Sequence, residues 1–189
     1  MSNTTTNVSL GKPKIGGAVF NAPLGSTLPT DATTALAEAF ICLGYVSEDG
    51  LTNSNSPETD QIKAWGGDTV LVTQSEKQDT FQFKLLEVLD PNVLKAVYGG
   101  GNVSGTLASG ITVRANAAEV EASAWVFELV LTNNAVKRIV IPNAKISEIG
   151  DIVYKDDEAI GYEITLNALP GDSAFGGDTH KEYIKRAST

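Results

Sequence analysis

His180 is the one histidine among 189 residues, so any Ser-His-Asp or Cys-His arrangement would have to use it. It lies in a polar, glycine-rich segment close to the C-terminus, a poor platform for a base that must be held rigidly. Cys42 is the single cysteine. With one of each, a zinc site of several His or Cys ligands and a disulfide within the chain are both excluded by count. Set in Phe40-Ile41-Cys42-Leu43, Cys42 reads as a buried hydrophobe. Asp156-Asp157-Glu158 groups three carboxylates, but it lacks the alternating spacing and the glycine of a calcium loop, and it reads as a solvated turn. Gly99-Gly100-Gly101-Asn102-Val103-Ser104-Gly105 lacks the lysine and threonine of a phosphate-binding loop and follows a helix instead of opening one. The 23 acidic residues leave room for a carboxylate pair of the glycosidase type, yet no spacing singles one out. The expectation is a non-enzyme with no catalytic residue, no cofactor and no metal.

The bulk properties set further limits. Apolar residues make up 42% and charged residues 20%, a globular composition, and the length suits one domain with a real core. The net charge is −9, so a basic face gripping nucleic acid is not expected, although DNA could pass nearby without sticking. No apolar stretch approaches the ~20 residues of a membrane span, and the N-terminus shows no signal-peptide pattern.

The elements that would position any site are mostly strands. Three segments are expected. Residues 1–42 form an N-terminal arm and first strand, 43–170 a β-sandwich body, and 171–189 a C-terminal arm. In the arm, Lys12 to Phe20 offers one extended segment, and Asp31 is placed to cap a short helical stretch through Phe40, with a strand as the alternative. Thr69–Thr73 and Thr80–Glu87 read as a hairpin joined by the polar turn Glu76–Asp79, with Phe81, Phe83 and Leu85 sharing a face. Asp90-Pro91 opens a helix over about 91–98, its stripe Val93, Leu94, Val97 and Tyr98 apolar, and Gly99 stops it. Further strands follow at Ile111–Arg114, Glu119–Leu131, Val136–Ile141 (stopped by Pro142), Ala144–Tyr154 and Ala159–Leu169. In the second of these Trp125, Phe127, Leu129 and Leu131 share a face. Many short strands and one helix predict an all-β sandwich or half-barrel with a helical plug.

The longest interruption is the polar run from about 50 to 67, which the composition predicts to be a loop. A loop of that length inside a compact domain usually binds something or is disordered. Leu51 and Trp65 argue for binding, because apolar side chains there need a partner surface to leave water.

Leu43-Gly44-Tyr45-Val46-Ser47-Glu48-Asp49-Gly50-Leu51, Leu89-Asp90-Pro91-Asn92-Val93-Leu94 and Gly161-Tyr162-Glu163-Ile164-Thr165-Leu166 resemble the major tail proteins of long-tailed, non-contractile bacteriophages. The resemblance covers about Lys14 to Ile184 and rests on structural phrases, not on catalytic signatures. It implies a β-sandwich or half-barrel flanked by a helix, whose copies close into rings of about six with a continuous barrel around a lumen. It implies stacking of those rings into the tail tube of the virion, assembled in the host bacterial cytoplasm and without a membrane. Implied partners are the chain itself, the tape measure, tail terminator and distal tail proteins, and phage DNA passing through the lumen without specific binding. Some relatives carry a C-terminal immunoglobulin-like domain, for which this chain is expected to be too short.

Flexible polar segments suit contacts between rings, where order is gained on assembly. Leu51, Asn53, Asn55, Pro57, Glu58, Trp65, Phe20 and Phe175 are therefore the expected contact residues. Strand position nominates Glu119, Glu121, Glu148 and Asp151 as facing the lumen. The alternatives are a capsid-decorating or adhesive β domain, a tube protein of a related secretion or contractile injection device, and an enzyme with an acidic carbohydrate-binding cleft.

Overall fold

A computed structural model describes residues 3–186. The strands are β1 (Gly11–Pro13), β2 (Val19–Pro23), β3 (Ile41–Cys42), β4 (Val46–Lys63), β5 (Thr69–Leu85), β6 (Val103–Thr106), β7 (Gly110–Val113), β8 (Ser123–Leu131), β9 (Ala135–Ile149), β10 (Tyr162–Ala168) and β11 (Lys181–Arg186); the α-helix α1 spans Pro91–Tyr98. Nine strands form one antiparallel sheet with the path β3-β2-β8-β9-β10-β5-β4, to which β1 adds along β8 and β11 along β9. β6 and β7 make a separate hairpin. The chain is mostly β, as its alternation predicts.

The sheet curls on itself. β5 and β8 are separated by β9 and β10 in the strand order, yet Phe83 meets Phe127 at 5.1 Å and Trp125 at 5.8 Å between ring centroids, both edge-on. That closure buries the face carrying Phe81, Phe83 and Leu85 against Trp125, Phe127, Ile139 and Ile141. α1 plugs the roll with Val93, Leu94 and Val97. Its N-terminus is capped by Asp90, whose carboxylate accepts from the Asn92 amide at 2.8 Å, with Pro91 in the first turn. Two turns of helix are not stable alone in water, so this packing is what maintains them.

β8 is buried on both faces. Its second face, Ala124 and Val126, joins Ala22, Phe40, Val140 and Phe175 under the 24–40 segment. Glu128 continues this face and lies directly across from Arg138.

Four expectations are corrected. The residues from Asp31 to Phe40 form bends and turns, with no helix. Asp31 instead accepts from the Thr33 and Thr34 amides at 2.6 and 2.7 Å, a local arrangement that competes with helix formation. The side-chain hydroxyl of Thr34, then these amides, hold the Asp31 carboxyl far below the usual range. Pro142 does not stop a strand: β9 runs through it, with a one-residue bulge where Ser123 opposes Ala144 and Trp125 opposes Ile141, the position at which a sheet tolerates proline. The polar stretch Glu76–Asp79 is not a turn but the middle of β5. The segment from about 50 to 67 is not a loop: β4 occupies most of it and pairs with β5 from Val46 to Lys63.

Candidate functional site

β4 and β5 leave the body together as a two-stranded ribbon. Beyond the Asn55–Asp79 pair, the described side chains on both faces are exposed to the tip. The tip is closed by Ala64–Asp68, where the Ala64 amide donates to the Asp68 carbonyl at 2.7 Å. Gly66 and Gly67 supply φ values of 121° and 99° that other residues rarely adopt. Near the tip Ile62, Val70, Leu71 and Val72 are exposed, and Trp65 is entirely so. Contiguous exposed apolar side chains of this kind mark interaction surfaces.

The ribbon is tied to the body at its base. Asp79 is 1% exposed and accepts from Thr179 Oγ1 at 2.5 Å and Asn53 Nδ2 at 2.9 Å, with His180 Nδ1 2.5 Å from the same Oδ2. His180 also packs edge-on against Phe81 at 5.2 Å. Burial raises the Asp79 pKa, but the hydrogen bonds from Thr179, His180 and Asn53 outweigh it and hold the carboxyl below its usual value. A carboxyl with a lowered folded pKa contributes stability above its unfolded value of about 4, and that contribution is lost as pH falls through the folded value. The Asp79→Asn protein is therefore expected to show a smaller drop in Tm between pH 7 and pH 3 than the parent. Thermal melts across that window check it, and parallel pH profiles would contradict it.

A second feature lies beside the base. Val46 opposes Leu85 and Leu51 opposes Phe83, so the residues Ser47–Gly50 bulge away from β5. Gly50, at φ 74°, permits the bulge. An open cleft of about 520 Å³ results between this edge and β1, with Phe83, Phe127, Val19 and Leu129 among its apolar walls and Glu48 and Asp49 at its rim.

The expected contact residues separate into groups. Asn55, Pro57, Glu58 and Trp65 are exposed on the ribbon. Asn53 anchors its base, and Leu51 is half-buried against the core. Phe20 is half-buried on the second cluster. Phe175 is corrected: it is 6% exposed within its own chain, with Lys181 Nζ 4.3 Å from its ring centroid. The C-terminal segment that carries it is no free arm, because β11 pairs with β9 over Lys181–Arg186; residues 187–189 lie outside the described ones.

Glu119, Glu121, Glu148 and Asp151 are all exposed. Glu119 pairs with Lys145 at 2.7 Å, which lowers its pKa. Glu148 opposes Thr165, which opposes Gln82, which opposes Thr52. That row belongs to an open polar face of β9, β10, β5 and β4, the reverse of the buried one. On it Gln82 donates to Glu163 at 2.6 Å, and Lys84 approaches Glu158 at 3.3 Å. Sequence reasoning missed Asp79, Thr179 and His180 as a group, along with Gln82, Lys84 and Glu163. Gln82, Lys84 and Glu163 were legible as the polar alternates of their strands.

Among the described residues no cluster of His, Cys, Asp and Glu is suited to a metal ion, and no helix is long and apolar enough to cross a membrane. A search of curated proteins returned no match. The family model described as phage tail tube protein matches residues 12–176, which takes in the rolled sheet, the ribbon and the helix. The chain thus belongs to the phage tail tube protein family, and it is a structural subunit of the tail tube.

Proposed function

We propose that copies of this chain close into rings of about six and stack into the tube of a long, non-contractile tail, through which the phage genome is delivered. The observation that carries the reading is the ribbon, which extends an apolar tip that nothing in the subunit covers. The outer edge of β4 and the polar rim of the sheet are left open for neighbouring copies, and ring closure would remove such edges. The polar face of β9, β10 and β5 suits a bore. Its lysines Lys84 and Lys145 are each matched by a carboxylate, so DNA phosphates would find no free cation in them, and the net charge of −9 favours sliding over binding. Assembly in the host cytoplasm, with the tape measure, tail terminator and distal tail proteins as further partners, follows from the same reading.

Negative-stain images of the concentrated protein test it. Hollow tubes or stacked rings are expected; material that stays monomeric and turns over a small molecule would overturn it. Trp65→Ala should raise the critical concentration for assembly by roughly 30-fold, as for a hot-spot tryptophan worth about 2 kcal/mol. The subunit Tm should stay constant, because Trp65 has no contact to lose in the monomer. Assembly assays beside melts separate the two effects, and equal losses would place Trp65 in the core.

A further inference from the structure

We infer that the ribbon tip of one copy, led by Trp65, seats in the open cleft beside Ser47–Gly50 of a second copy. The inference rests on the assembly reading above and supplies the two surfaces that meet. The tip offers a fully exposed indole with Ile62 and Leu71 behind it. The cleft offers about 520 Å³ with mostly apolar walls, in the size range that takes an aromatic group of this kind. Lys63 and Asp68 flank the tip turn while Glu48 and Asp49 line the cleft rim, so Lys63 marks the side of the tip that suits the rim.

The occupant must be another copy. Leu51 borders the cleft and Lys63 ends the strand, and at about 3.3 Å per residue these lie roughly 40 Å apart along β4. Paired with β5 along this length, β4 holds the tip away from its own base. A donor tip and an acceptor cleft set apart on the same chain make a head-to-tail contact, which closes a ring or propagates as an open stack according to the rotation between copies. The bulge at Ser47–Gly50 thereby gains a reason, since regular pairing of β4 there would close the cleft.

The test is disulfide trapping in a Cys42→Ala background, with Ala64→Cys at the tip and Glu48→Cys at the rim. These sites are too far apart within one chain to bridge. Oxidised assemblies of the double variant should give a ladder of covalent multimers, absent from either single variant. Hydrogen exchange on unmodified protein guards against a variant that fails to assemble: amides of 46–51 and of 64–67 should both slow at least about tenfold on assembly. Tubes that form without the ladder, or whose 46–51 amides exchange as in the free subunit, overturn the pairing and leave the tube reading standing. Failure of the unmodified chain to assemble overturns both.

Discussion

Replacing Ser56–Gln78 with Asn-Gly should yield a folded subunit that no longer assembles at any concentration reached by the parent. Asn55 and Asp79 are directly paired, and a two-residue Asn-Gly loop closes such a pair with the twist that hairpins favour. Among the described side chains, the residues removed are exposed, so the Tm should move by only a few degrees. The anchor of Asp79 to Asn53, Thr179 and His180 is retained. An isolated two-stranded ribbon is marginal in water, because it buries too little on itself. Order in the ribbon therefore gains its return only when a neighbour covers it. Sedimentation and electron microscopy would read the loss as at least ~100-fold in critical concentration, equivalent to about 2.7 kcal/mol per subunit. Tubes of normal length from the shortened chain would remove the ribbon from assembly, and a collapsed Tm would show it to be part of the fold.

The second large effect is expected in the core. Glu128→Ala should lower stability by about 3–5 kcal/mol, the usual result of stripping one partner from a buried ion pair. For a chain of this size that is a fall in Tm of roughly 6–20 °C. Glu128 and Arg138 are 4% and 2% exposed. Arg138 Nε donates to Glu128 Oε1 at 2.9 Å, its Nη2 reaches the same oxygen, and its Nη1 donates to the Asp31 carbonyl at 2.7 Å. Lys14 closes on the other carboxylate oxygen. Without Glu128 the guanidinium keeps only a carbonyl, inside an apolar layer where its charge is poorly solvated. The double change Glu128→Leu with Arg138→Met should recover most of the loss, since an apolar pair carries no desolvation penalty. Calorimetry of the two variants beside the parent checks this, and no recovery would show that the ties to Lys14 and, through Arg138, to the Asp31 carbonyl outweigh the desolvation penalty of the pair.

The amino-acid sequence by itself determined what is local. Phe81, Phe83 and Leu85 alternate and share a buried face, and Asp90-Pro91 with Gly99 marks the ends of α1. Composition and counts, with one histidine and one cysteine, pointed away from metal and nucleophile chemistry. Phrases along the chain were enough for the family. Tertiary structure decided the long ribbon, since Thr52–Lys63 is polar, lacks the alternation of a half-buried strand, and is held by backbone pairing to β5. It decided that Phe175 lies inside, that β11 docks on β9, and that Asp79 meets His180 across 101 positions. Side-chain periodicity reports burial against the nearest layer. Which distant segment supplies that layer, or whether another molecule does, is written in contacts that only the folded chain brings together.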